Sequence, residues 1–449
     1  MDRPLRVLLI AEAANPEWTS VPLVGWAHAR ALGEVAEVHV VTQERNREAL
    51  ERAGWREGRE FTALDSEAIA RPLWRLSSVL RTRLGLGWTV DTALASAGYY
   101  HFEHLVWRRF ARAMARGRFD VVHRLTPLSP TTPSLLAPRC RGVGVPFVLG
   151  PLNGGIAWPA AFRDVRAREG DWLSSVRGLH RLLPGYGATL RSASAILTGS
   201  RATREQVPAA HQARCVYLPE NGVDPERFGA ARVKRTGPLK AIFVGRLVPY
   251  KGADMLLEAA EPLLRSDAIH LEIVGDGPER ARLEAVVATR ALGRQVKLTG
   301  FLRHAEVAAR MQAADLFVFP SVREFGGAVV LEAMASGAVP IVVDYGGPAE
   351  LVTAETGFRI PMTGREALIG NLRETLLQVA RHQHVLGPMG ERARARALSL
   401  YSWPAKARQV LRVYRWVLGQ ADKPDFGMPL SEVTTPPSDA EPPLFQARL

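Results

Sequence analysis

Two carboxylates with seven residues between them, Glu324 and Glu332, bracket the segment best suited to chemistry, Glu324-Phe325-Gly326-Gly327-Ala328-Val-Val-Leu-Glu332. An apolar run, Leu316–Phe319, leads into Pro320 and a short loop, and the pattern then predicts a helix from about Gly327. Gly326 and Gly327 carry no side chain, so a ligand can come close to the backbone there. The N–H groups at a helix start, with the helix dipole behind them, favour an anion. Glu324 precedes the helix and Glu332 falls about one turn inside it, so both can face one cleft and accept hydrogen bonds from sugar or ribose hydroxyls. Beside phosphates two carboxylates repel, so cations must stand near them.

A second segment supplies cations. The strand-like run Ala241–Val244 ends in Gly245-Arg246-Leu-Val-Pro-Tyr-Lys251-Gly252. This puts Arg246 and Lys251 at the C-terminal end of a strand, where open α/β sheets bind ligands. They can neutralise a diphosphate and the charge that grows on it as it leaves. Gly275-Asp276-Gly277-Pro278 closes another strand as a tight turn into a helix. Singly, a glutamate at a helix start is a cap, an arginine after a strand a solvated charge, and this turn only a turn. Their order, each at a strand end of one half, joins them into one site.

The elements that hold them belong to a strand–helix alternation through both halves, which predicts parallel sheets covered by helices. In the first half strands are expected at Arg6–Ile10, Val35–Val41, Asp120–His123, Pro146–Leu149 and Ala195–Leu197, with a helix at about Leu23–Leu32. In the second half they are expected at Lys240–Val244, Ile269–Val274, Val296–Leu298, Leu316–Phe319 and Pro340–Val343. The loop-like stretch Pro219–Leu239 marks the boundary. The chain divides into residues 1–222, residues 223–403, a C-terminal helix at 404–420, and a Pro-, Ser- and Glu-rich tail at 421–449 expected to be disordered. A basic, Trp-rich helical insertion interrupts the first half at about 55–118, with helices expected at Arg71–Val90 and Tyr99–Arg118. It either packs its tryptophans into the core or lies on an anionic membrane or lipid-linked acceptor.

With 449 residues, 47% hydrophobic and 23% charged, the chain has the composition of a soluble two-domain protein. The apolar core Val7–Ile10 is shorter than a signal-peptide h-region and is expected to form a buried strand, with a cytoplasmic protein beginning at residue 1. Cys140 and Cys215 are expected to be reduced packing residues. The net charge of +13 fits a polyanionic ligand, an anionic membrane or a nucleic acid. No RNA-binding signature accompanies it, so no nucleic-acid partner is expected. No Asp/Glu/His cluster has metal-ligand spacing, and no metal or cofactor is expected.

The second half resembles the donor domain of retaining GT-B glycosyltransferases of glycosyltransferase family 4. The resemblance rests on three elements: GR-x4-KG (Gly245–Gly252), GDGP (Gly275–Pro278), and E-x7-E with its FGG interior (Glu324–Glu332). It implies an α/β GT-B fold, two Rossmann-like doubly wound domains facing each other across a cleft. Residues 1–222 would be the acceptor side and 223–403 the nucleotide-sugar donor side. Arg246 and Lys251 would hold the donor diphosphate, Glu324 the transferred sugar and Glu332 the ribose. Gly245, Gly275, Asp276, Gly277 and the backbone at Phe325–Ala328 would complete the donor site.

Asn221-Gly-Val-Asp224 resembles the family's interdomain element, and Gly150-Pro-Leu-Asn153 and Asp120-Val-Val-His123 lie where similar enzymes have strand-end segments. The first loop, Glu12–Val21, lacks the usual paired glycines and offers Asn15, Trp18 and Ser20, with Asn153, as acceptor-side residues. Leu125 stands where many relatives carry an active-site histidine, which makes His123 a candidate in its place. The implied activity is retaining transfer of a sugar from a UDP- or GDP-linked donor to a glycan, lipid-linked or small-molecule acceptor. Epimerisation or hydrolysis of the donor on the same fold, or a non-catalytic basic membrane- or nucleic-acid-binding role, are the alternatives.

Overall fold

The computed structural model describes residues 3–66, 87–168, 179–229 and 237–428. Strands β1 (Arg6–Ala11), β2 (Glu37–Gln43), β3 (Phe61–Leu64), β4 (Val121–Thr126), β5 (Phe147–Leu152), β6 (Ala195–Thr198) and β7 (Cys215–Tyr217) form the first sheet. The second contains β8 (Leu239–Val244), β9 (Ile269–Val274), β10 (Val296–Gly300), β11 (Leu316–Phe319), β12 (Val339–Val343) and β13 (Phe358–Ile360). The orders are β3-β2-β1-β4-β5-β6-β7 and β10-β9-β8-β11-β12-β13, and the neighbouring strands pair in parallel.

The central strands β1 and β11 form because their runs are apolar without alternation: Val7, Leu8, Leu9 and Ile10 are all fully buried, as are Leu316, Phe317 and Val318. A parallel sheet covered by helices buries both faces and selects such runs. Each order reverses once, between β1 and β4 and between β8 and β11, and a crevice opens beyond the carboxyl ends of strands at such a point. The two crevices face one another.

The halves exchange segments. The helix Trp403–Val417 follows the second sheet but returns to the first, where Val410, Val413 and Tyr414 pack with Val7 and Leu9. In the opposite sense Trp158, Phe162 and Val165, which follow β5, lie in the core of the second sheet.

Ten of these strands were expected from the sequence. The other three, β3, β7 and β13, are edge strands of three or four residues. They are paired on one side only. Thr62 breaks β3, Arg359 breaks β13 and β7 has only three residues, so none shows the apolar run that marks the equally short β6 and β11.

The first part of the stretch expected as an insertion, 55–118, belongs to the body of the first half. Trp55 packs against Trp26 with ring centroids 4.6 Å apart, and Phe61–Leu64 is sheet edge. One helix, Gly87–Ala115, stands where the second of the two expected helices was placed, while residues 67–86, with Trp74, lie outside the described residues. The first residues of the expected tail are packed. Phe426 packs against both cores and Met428 is buried, and residues 429–449 lie outside the described residues. Cys140 and Cys215 are free and buried. Among the described residues no helix is long and apolar enough to cross a membrane.

Candidate active site

Between the facing crevices lies a cavity of about 980 Å³. Val244, Gly245 and Lys251 from the end of β8, and Phe319, Glu324, Ala328 and Glu332 from the end of β11, form its second-half wall. Trp18, Ser20 and one face of the helix Val21–Gly33 form the opposite wall. That volume is at the upper end for a small-molecule site.

At its centre Lys251 and Glu324 form an ion pair, with side chains only 15% and 18% exposed. The Lys251 ammonium also lies 5.0 Å from the Phe319 ring centroid and 5.5 Å from that of Tyr250. Two loops bring them together. Pro249–Lys251 is a single 3-10 turn ended by Gly252, and Val322 N–H donates to the Tyr250 carbonyl (2.9 Å), as does Ser321 Oγ (3.3 Å). A half-buried pair held this way loses more when one partner is removed than it contributes as a pair, because the other charge stays in a poor solvent.

Beyond Glu324 the chain passes Gly326 and enters the helix Ala328–Ala335 through Gly327, whose φ of +63° is left-handed. A β-carbon on Gly326 would overlap the carboxylate of Glu220 and the amide of Asn221. Glu220 is buried, and its Oε1 accepts hydrogen bonds from Asn153 (2.6 Å) and Asn221 (2.9 Å). Burial raises the Glu220 carboxyl above its usual range. The fully buried Lys406, which donates to the Pro219 carbonyl, is pushed down to about 7 by burial, against the pull of Glu220.

Burial likewise pushes the Glu332 carboxyl up to about 7, against the pull of the Arg227 guanidinium. Glu332 is therefore protonated below that pH and an anionic acceptor above it. If it holds ribose hydroxyls, donor binding is expected to strengthen as pH rises through about 7, by about tenfold, the difference between neutral and charged acceptors. Calorimetric titration of wild type and Glu332→Gln checks this. The variant is expected to show no such rise, and a parallel rise in both would detach Glu332 from the donor.

The remaining expected residues divide. Trp18, 44% exposed, and Ser20 face the cavity. Arg246 is exposed immediately beyond Gly245, outside the cavity wall, and Phe325 is exposed with the Arg323 guanidinium 5.2 Å from its ring. Gly275, Asp276 and Gly277 do not line the cavity. They buttress the Arg246 loop: Leu247 N–H donates to the Asp276 carbonyl (2.9 Å), and Asp276 pairs with Arg280 (3.1 Å). Asn15 is buried and bonded to Asn46 (3.3 Å), and Asn153 is spent on Glu220.

His123 is corrected most sharply. It is fully buried, with Nε2 2.5 Å from the Gly150 carbonyl and Nδ1 2.6 Å from the Tyr414 hydroxyl. Burial pushes its imidazole down to about 4, so it is neutral at pH 7, with one nitrogen donating and the other accepting. It ties β4 to the returning helix and offers nothing to the cavity. Arg227 and His304, whose side chains approach to 3.4 Å, do line the cavity and were not expected. They lie 77 positions apart, and no local pattern announces a pair at that separation.

Two doubly wound domains thus face each other across a cleft, with a cationic and carboxylate cluster at the strand ends of the second. Residues 226–392 match the family model described as glycosyl transferases group 1. A GDP-mannose-dependent alpha-mannosyltransferase of Mycobacterium tuberculosis (strain CDC 1551 / Oshkosh) is 30% identical over 321 residues, 70% of this chain and 77% of that one. One of the same description from Mycolicibacterium smegmatis is 34% identical over 179 residues, 40% of this chain but only 43% of that protein. The chain belongs to the glycosyl transferases group 1 family. Its fold is that of sucrose-phosphate synthase from Thermosynechococcus elongatus, with a TM-score of 0.59 at 18% identity over 93% of this chain and all of the other. The Anabaena Alr3699/HepE structure in complex with UDP and glucose gives 0.53 at 15% identity over 91% and 98%.

Proposed function

We propose that the protein transfers a hexosyl group from a nucleoside-diphosphate sugar to an acceptor hydroxyl, with retention at the anomeric carbon. The observation that carries this is the Lys251–Glu324 pair at the strand-end crevice of the second half, inside a cavity whose other wall comes from the first half. Residues 223–403 hold the donor and residues 1–222 present the acceptor. Lys251 and the first turn of Ala328–Ala335 stabilise the diphosphate as it departs, and Arg246, exposed beside the wall residue Gly245, turns toward it when the donor binds. Glu324 accepts hydrogen bonds from the sugar. The leaving phosphate takes the acceptor proton on the face it vacates, and apposition of the halves keeps water from the donor. Similarity to GDP-mannose-dependent enzymes supports GDP-mannose as the first donor to test, with UDP sugars beside it.

A thermal-shift panel of GDP, UDP, ADP and their sugar conjugates tests the site. A ligand specific to the native state adds about 2.7 kcal/mol at a hundredfold excess over its Kd. One nucleotide family is expected to raise the Tm, with the shift reduced in Arg246→Ala. No shift for any of them would sink the donor site.

The exposed arginines Arg108, Arg109, Arg112 and Arg116 line the end of the Gly87–Ala115 helix, where Glu103, the acid among them, is buried against Ser134. This supports peripheral contact with anionic lipid. Anionic vesicles are expected to retain the protein and neutral ones to release it. Equal retention of an Arg108→Glu, Arg112→Glu variant would remove the membrane from the account.

A further inference from the structure

The segment after β5 leaves the first sheet and braces the loops that carry Lys251 and Glu324. Trp158, only 9% exposed, meets the Tyr250 ring edge-on at 6.1 Å, and the Arg323 guanidinium lies 4.7 Å over its own ring. Tyr250 and Arg323 are the chain neighbours of Lys251 and Glu324. A third hold is close by. The Tyr345 hydroxyl donates to the Ala157 carbonyl (2.7 Å), and at the next residue, Gly346, the backbone abuts the Glu324 carbonyl and the Ile156 side chain. Trp158 itself is not among the residues that line the cavity.

Taking the Lys251–Glu324 pair as the donor site proposed above, we infer that Trp158 is a positioning residue for sugar transfer: it wedges between Tyr250 and Arg323 and so fixes where Lys251 and Glu324 stand. The wedge comes from the first half while both residues it positions belong to the second. Apposition of the halves and alignment of the pair are thereby one event. The two loops otherwise have little regular structure, a single 3-10 turn on one side and the Pro320–Gly327 loop on the other. An indole fills and orders the slot between them at small conformational cost. Emptying the slot lets both loops shift, and a displacement of about 1 Å in a catalytic group can cost about a hundredfold in rate. Lys251, proposed at the diphosphate, shifts with its loop, but a charge displaced by about 1 Å keeps most of its attraction to a bound diphosphate, whereas the alignment needed for transfer is lost. Loss of Trp158 therefore acts mainly on turnover and only weakly on nucleotide binding.

The test is a series Trp158→Phe, Trp158→Leu and Trp158→Ala, assayed for GDP release from GDP-mannose, or from the donor that the thermal-shift panel selects, and for GDP or UDP affinity. The kcat is expected to fall progressively, by about threefold for Phe and about ten- to a hundredfold for Leu and Ala. Nucleotide affinity should stay within about threefold of wild type, and the Phe variant should recover most of what Ala loses. A purely structural role would lower the Tm and leave kcat per folded molecule unchanged. Trp158→Leu, which keeps apolar volume in the slot, decides the matter if the Ala variant does not fold. Wild-type kcat in the Leu variant overturns the inference and leaves the donor site standing. A wild-type protein that neither binds nor cleaves any donor in the panel overturns the donor-site reading, and this inference with it.

Discussion

Glu324→Gln is expected to lower the rate of sugar transfer by about 10²–10³-fold while leaving the protein folded. The magnitude is that of removing one preorganised polar group from a transition-state site. The substitution keeps the shape of the side chain and the Glu324 backbone carbonyl that receives Gly347 N–H (3.2 Å), so the loop has no reason to move. What disappears is the charge paired with Lys251 and, on the proposed reading, the anionic group that accepts from the sugar. Lys251 is left without that counter-charge, which costs about 1–3 kcal/mol in the empty enzyme, because the pair is partly hydrated rather than sealed. A bound diphosphate restores an anion to Lys251, so the affinity for GDP or UDP is expected to hold or tighten. Loss of turnover with retained nucleotide binding is thus the signature. Turnover within about threefold of wild type would refute the placement of the sugar at Glu324.

Gly275→Ala is expected to destabilise the second half by about 3 kcal/mol or more, measured as the shift of its urea unfolding transition. Gly275 has φ of +139°, a conformation that alanine adopts only under strain, and its added β-carbon would be driven into the backbone carbonyl of Gly245. Backbone strain of about 1–3 kcal/mol and overpacking of similar size add at one position. Neither contact can relax by turning a side chain, since both are main chain. Asp276→Asn, by contrast, is expected to change stability by less than about 1 kcal/mol. That carboxylate is exposed and shares its charge with Arg280 across a solvated surface. A stable Gly275→Ala protein would mean that this turn serves the ligand instead of holding the Arg246 loop against β9. The resemblance assigned these glycines to the donor. Their geometry gives them a prior task, the close approach of two strand-end loops.

Much of the fold was legible because its rules are local. Continuous apolar runs such as Val7–Ile10 and Leu316–Phe319 can be satisfied only in a strand buried on both faces, and glycines and prolines punctuate them. The edge strands escaped because, half-covered, they do not need a continuous apolar run: Thr62 interrupts β3, Arg359 interrupts β13, and β7 has only three residues. The stretch from Trp55 to Leu64 read as insertion for the same reason: its tryptophan and its short strand take their meaning from Trp26 and β2, which lie elsewhere in the chain.

The candidate site divides along the same line. The order of residues alone determined that Arg246, Lys251, Glu324 and Glu332 sit at or just beyond the ends of strands in one half, since strand-end placement follows from the βα alternation. It also determined that glycines would let chain or ligand approach at Gly326. Only the tertiary structure decided which side chains reach the cavity. His123 was expected at a strand end, but β4 runs on to Thr126, and the ring is claimed by Tyr414, 291 residues away, on a helix that crosses back to the first sheet. Asn153 is likewise taken by Glu220, and Trp158 is carried across to brace the Lys251–Glu324 pair. Local sequence sets backbone direction through sterics and burial, whereas the partner of a side chain is set by whatever distant segment is packed against it.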